Sequence, residues 1–255
     1  HRCRIMPRAT WLGASGARDL SGLFSQKSMR AGKPMITLHL LKQSRALRIV
    51  WLLELLGLEY RLEQYARHPE TLLAPDELKT FHPLGKSPIL DDNGFILTES
   101  GAITDYLIQT YGGGRLMPAP GNHDYWQYQR WLHYAEASLM PLMLLGLVFR
   151  KIDEAPMPFF VKPIARKITG NTRHNFIDPQ TSLHLGHVDE SLKGRAWLLG
   201  NDITGADIMM SYPLQAAAER FGLDAYPNIR AYLARIEADP AYIRAVKKAG
   251  TSQLV

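Results

Sequence analysis

Two short stretches hold the residue types best suited to chemistry: Gly85-Lys86-Ser87-Pro88-Ile89-Leu90 and, further along, Glu99-Ser100. A proline opening a strand cannot donate to the sheet ladder, and only an X-Pro bond turns cis at a small cost. Ser87-Pro88 can therefore point unpaired backbone amides outward and hold the backbone of a small peptide. Glu99-Ser100 opens an apolar-periodic segment, Ile103, Tyr106, Leu107, Ile108 and Tyr111. The N-terminus of such a helix offers free amides and a positive dipole end to a carboxylate. Together the two stretches fit a pocket for a short, acidic peptide.

The elements that must position them read as a small α/β unit. Met35 to Leu41 is a short buried strand, and Arg45 to Leu56 an amphipathic helix ending at Gly57, the residue type favoured just past a helix C-terminus. Tyr60 to Tyr65 alternates as a second strand, and Pro75-Asp76-Glu77-Leu78-Lys79 opens a short helix. Ile89-Leu90, a turn at Asp91 to Gly94 and Phe95-Ile96-Leu97 make a hairpin, and the Glu99 to Tyr111 helix closes a βαβαββα order over residues 35–112. Gly112-Gly113-Gly114 and Pro118-Ala119-Pro120-Gly121 punctuate a linker, 113–121. Beyond it, Asp124 to Phe149, Gln180 to Leu192, Ala206 to Phe221 and Ile229 to Ala238 carry helical periodicity. Residues 122–250 are thus expected to form an all-helical domain.

The formal net charge of +6 lies in a leader. Residues 1–34 hold seven basic residues and one acid, 7 − 1 = +6, which leaves 30 − 7 = 23 basic against 24 − 1 = 23 acidic residues in the remainder. A neutral globular part argues against nucleic acid as a partner, despite a pI near 9.4. The leader is Arg- and Ser-rich and poor in acids, and is expected to be non-native or dispensable, with Met35 as the natural start. Cys3 is the one cysteine, so residues 35–255 offer no disulfide, thiolate metal site or cysteine nucleophile. No apolar run reaches the roughly 18 residues needed to span a bilayer; Leu139 to Phe149 is broken by Pro141 and Gly146. His184 and His187, at i, i+3, lack a third ligand and read as surface residues, so no metal is expected.

Taken in order, several pieces resemble the glutathione S-transferase family. They are Ser44-Arg45-Ala46-Leu47-Arg48 with Trp51-Leu52-Leu53-Glu54, His82-Pro83-Leu84-Gly85-Lys86-Ser87-Pro88, Glu99-Ser100-Gly101, Gly205-Ala206-Asp207-Ile208 and Tyr226-Pro227-Asn228-Ile229. The Ser-Arg-Ala pattern, Met157-Pro158-Phe159 and Ser211-Tyr212-Pro213-Leu214 are similar to the fungal-type, yeast-like transferases and their bacterial relatives. The resemblance implies a thioredoxin-like N-terminal domain joined to a helical-bundle C-terminal domain, glutathione as co-substrate, a cytoplasmic homodimer and a role in detoxification. It also implies conjugation of the glutathione thiolate to a small apolar electrophile. Peroxidase activity through the same thiolate, or non-catalytic binding of glutathione or a hydrophobic ligand, are the alternatives.

Residue by residue, the resemblance places the activating hydroxyl at Ser44, although a serine there is equally suited to cap the helix. A hydroxyl can do both, accepting a backbone amide while its proton points at sulfur. Arg45 opposes the helix dipole in the first turn and is expected either to hold the thiolate or a carboxylate, or to be solvated. Arg48 is expected to form a structural ion pair with an acid across the domain boundary. Lys86 would reach the glycyl carboxylate, Ser87 would pair through its backbone with the cysteinyl residue, and Pro88 would be cis. Glu99 and Ser100 would take the γ-glutamyl end. Tyr134, Ser138 and Met143 are the candidates for the electrophile pocket. Thr204-Gly205-Ala206-Asp207 has the form of a capping box and reads as structural.

Overall fold

The computed structural model describes residues 35–250; the leader, residues 1–34, lies outside this range, and the expected start, Met35, is its first residue. Four strands form one mixed sheet: β1 (Ile36–Leu41), β2 (Tyr60–Tyr65), β3 (Ile89–Asp92) and β4 (Phe95–Thr98), in the order β2-β1-β3-β4. β2 runs parallel to β1, while β3 and β4 are antiparallel to their neighbours. The β3–β4 hairpin closes on Asn93-Gly94, both with positive φ (54° and 91°), which is the two-residue turn that matches strand twist. β1 is buried almost throughout, as a central strand covered on both faces must be.

Helix α1 (Leu47–Leu56) covers one face of the sheet and ends where Gly57, at φ 69°, donates to the carbonyls of Leu53 and Glu54. It starts two residues later than its apolar period implies, because Gln43 to Ala46 turn before the helix begins. The expected short helix after Pro75 is a single 3-10 turn, Asp76–Thr80. Helix α2 (Ser100–Tyr111) completes a thioredoxin-like unit.

The second layer is all-helical. It comprises α3 (His123–Tyr134), α4 (Met140–Glu154), α5 (Lys162–Thr172), α6 (Asp178–Leu192), α7 (Gly205–Arg220), α8 (Pro227–Ala238) and α9 (Pro240–Ala249). A π-helical turn, Ala135–Leu139, joins α3 to α4, so the chain is helical without a break from His123 to Glu154. Among the described residues this one helix is long and apolar enough to cross a membrane by length and composition. Its Leu139, Leu142 and Met143 nevertheless pack in the core.

α7 is the axis of the bundle, buried along nearly its whole length. It begins with the capping box: Asp207 accepts from the backbone N–H (2.8 Å) and hydroxyl (3.0 Å) of Thr204 and from the N–H of Leu198 (3.0 Å). Burial pushes this carboxyl up to about 6, against those donors. Gly205 is required by close approach, since a Cβ there would lie 2.6 Å from Ile108 Cδ1 and 2.8 Å from the Tyr128 hydroxyl. α7 therefore sits directly on α2 and α3. α9 returns to α1: Glu54 receives Arg244 (2.8 Å) and Lys248 (2.5 Å), and Trp51 donates to Asp239 (3.0 Å).

Candidate functional site

A cleft of about 500 Å³ opens where the sheet's loops meet α4 and α7. Its polar wall contains Ser44, Arg45, Lys86, Ser87, Pro88, Glu99 and Ser100, residues drawn from three separate loops.

Ser87 is held to the central strand by its side chain. Its Oγ donates to the His39 carbonyl (3.0 Å) and accepts the Leu41 N–H (2.9 Å). The β1–β3 ladder pairs His39 with Ile89, so Leu41 would next face Ser87; the hydroxyl takes that place. The Ser87-Pro88 bond is cis, and among the described residues no backbone partner takes the Ser87 N–H or C=O. Beneath it, the buried His39 ring contacts Tyr65 OH (2.9 Å) and lies 4.0 Å from the Phe81 ring, which anchors the loop leading to Pro88. Burial lowers the His39 pKa, against Asp91 and Glu63.

Glu99 precedes α2 with φ 68°, and its side chain does not cap the helix. The first amides of α2 thus face the cleft without a side-chain acceptor, beside the buried Ser100. Ser44 is 9% exposed and its Oγ accepts the Ala46 N–H at 3.2 Å, so the hydroxyl closes the turn ahead of α1 and retains a proton to donate.

Arg45 pairs with Glu136 at 2.5 Å, and Arg48, 2% exposed, pairs with the other oxygen of the same carboxylate. Glu136 belongs to the π turn of the helical layer, so this is an ion pair across the domain boundary. Burial pulls the Arg48 guanidinium below its ordinary range, against Glu136. Arg48 also donates to the Met209 carbonyl at 2.8 Å. That carbonyl is free because Pro213, four residues on in α7, has no N–H to give it. Tyr212, adjacent to this proline, lies 5.9 Å from Arg45 and 5.7 Å from Arg48, and lines the cleft.

Tyr134, Ser138 and Met143 do not line the cleft. The Tyr134 hydroxyl contacts His184 Nδ1 at 2.5 Å and burial pushes it up to about 12, while Met143 is fully buried in the core. The continuous helix from α3 to α4 turns Tyr134 toward α6 and Met143 into the bundle interior, and leaves Ser138 half-buried away from the cleft. Leu144 of α4 and Tyr212 of α7 stand on the wall instead. Arg67, absent from the sequence reading, ties the rim together by donating to Leu72 O (2.9 Å) and Gln43 O (3.1 Å). His184, half-buried, packs on Tyr134, and His187, exposed, stacks on Trp131.

The profile described as "Glutathione S-transferase, N-terminal domain" matches residues 33–109, and the C-terminal domain profile matches 178–240. Glutathione S-transferase 1 of Saccharomyces cerevisiae is 34% identical over 225 residues, covering 85% of this chain and 96% of the yeast protein. The chain belongs to the glutathione S-transferase family. Glutathione S-transferase 3 of Schizosaccharomyces pombe is 33% identical, covering 84% of this chain and 88% of that one. A solved glutathione S-transferase from Actinobacillus pleuropneumoniae matches with a TM-score of 0.72 at 40% identity, over 85% of this transferase and 94% of its own chain.

Proposed function

We propose that this cleft binds glutathione along its polar wall and conjugates its thiolate to a small apolar electrophile held against Leu144 and Tyr212. One observation carries the reading: Ser44, Lys86, Ser87, Glu99 and Ser100 converge on a single cleft from three loops. Ser87 presents unpaired backbone groups to the cysteinyl residue in the manner of an added strand. The α2 amides, Ser100 and Glu99 suit the carboxylate and ammonium of the γ-glutamyl end, and Lys86 suits the glycyl carboxylate.

The free thiol has a pKa of about 8.5, so the site must favour the thiolate. The Ser44 hydroxyl, fixed by the Ala46 amide, donates its proton toward sulfur. The thiolate then forms the new carbon–sulfur bond as the leaving group departs with its electron pair. Arg45 adds positive charge at the rim, tempered by Glu136. A cytoplasmic, reducing setting and a detoxifying role suit a ligand that works as a free thiol. A homodimer would cover the exposed aromatics Phe95 (51% exposed) and Trp126 (67%).

The test is retention on immobilised glutathione together with turnover of a chloro-nitroarene and of cumene hydroperoxide. Conjugation of the chloro-nitroarene supports the reading; peroxide reduction alone would reassign the chemistry. Retention with no turnover of either would make the protein a binder.

A further inference from the structure

A face of the helical domain outside the lining of the cleft combines bare apolar side chains with cations that form no ion pair among the described residues. On α4, Leu145, Val148 and Ile152 recur at helical spacing and are 38%, 45% and 41% exposed. On the loop and helix that follow, Phe159, Phe160, Ile164 and Ile168 are 87%, 65%, 61% and 61% exposed. Phe160, Ile164 and Ile168 are spaced four apart, which aligns the two isoleucines along one side of α5. Residues 155–177 contain Lys162, Arg166, Lys167 and Arg173 and no acid, although residues 35–255 as a whole balance at 23 basic and 23 acidic residues. Among the described residues none of these four cations forms an ion pair.

Protein interfaces bury apolar cores from which lysine is depleted, whereas here cations alternate with phenylalanine and isoleucine. A surface helix of this composition matches an interface that is apolar in depth and anionic at its face. α5 runs on through a π-helical turn, Arg173–Ile177, into α6, and this continuous helix is too polar to span a bilayer, while its exposed first turns can lie on one. We propose that the α4–α5 hairpin docks on an anionic lipid bilayer, with Phe159, Phe160, Ile164 and Ile168 entering the headgroup boundary and the neighbouring cations facing lipid phosphates.

The experiment is co-sedimentation of the full chain with vesicles of mixed phosphatidylglycerol and phosphatidylcholine, and with vesicles of phosphatidylcholine alone. Binding is expected only to the anionic vesicles and should weaken as salt is raised. Arg166→Gln with Lys167→Gln should lower the partition coefficient roughly 25-fold at low salt, about fivefold per cation. Phe159→Ser with Phe160→Ser should lower it at least about tenfold. Melting temperature and chloro-nitroarene turnover, read alongside, should not change in either variant. Undiminished binding in both variants would assign the affinity to the basic residues 1–34 and overturn the proposal. So would equal binding to phosphatidylcholine, or a change of oligomeric state in the phenylalanine variant, which would mark the face as a contact between copies.

Discussion

On one wall of the cleft the polar atoms belong to turns and the ends of strands and helices; on the other, apolar side chains project from the middle of long helices. The first wall is fixed locally. Ser87 is hydrogen-bonded to β1 at two points, Ser44 to the amide two residues on, and Ser100 sits at the first turn of α2. The second wall, Leu144 and Tyr212, is placed only by the packing of α4 and α7. Under the proposed function, the first arrangement presents fixed backbone groups to a constant ligand, glutathione. The second allows the apolar surface to change without disturbing the fold, as suits a variable electrophile.

The two walls meet at Glu136, which receives Arg45 at the rim and Arg48 underneath. The largest effect is therefore expected at this joint. Glu136→Gln leaves Arg48, 2% exposed, without its carboxylate, and breaking a buried pair from one side costs about 3 kcal/mol. A melting temperature lower by about 6–12 °C would follow for a domain of this size. An unchanged melting temperature would show that the walls are held independently.

On the polar wall, Ser44→Ala should raise the thiolate pKa of bound glutathione by about one unit, roughly 1.4 kcal/mol. Less thiolate is then present at neutral pH, so the rising limb of the pH–rate profile moves to higher pH. Ultraviolet titration of the bound thiolate reads this directly, and an unmoved pKa would leave Ser44 with only its turn-closing bond. Ser100→Ala should weaken glutathione binding about fivefold to tenfold with the melting temperature retained, measured by calorimetry. Unchanged affinity would remove Ser100 from the γ-glutamyl end.

The polar wall was legible in the sequence because its signals are local: a proline ahead of a strand, an acid-serine pair opening a helix, a serine at a strand-to-helix junction. The apolar wall was not. Tyr134 and Met143 have the right composition, but which face of α3 and α4 meets the cleft depends on the π turn at Ala135–Leu139, and no local signal marks it. Helix α5 was also missed, since Gly170 lies inside it and lowers its propensity, and Pro158 and Pro163 read as a loop although Pro163 falls in its first turn, where proline is tolerated. Tyr212 could have been found: Pro213 within a helix frees the Met209 carbonyl, and a buried arginine is the partner such a carbonyl attracts.

The smallest effect is expected on that second wall. Leu144 is 50% exposed, so truncation removes only part of a leucine's burial, about 1 kcal/mol or less when the electrophile covers it. Leu144→Ala should raise KM for a chloro-nitroarene about threefold and leave KM for glutathione and the melting temperature unchanged, in steady-state kinetics with each substrate varied. The partition between the two Michaelis constants carries the information. If both rise together, the walls are coupled through α4 and the division between a fixed polar wall and an adaptable apolar one fails. If neither moves, the electrophile rests against Tyr212 rather than Leu144.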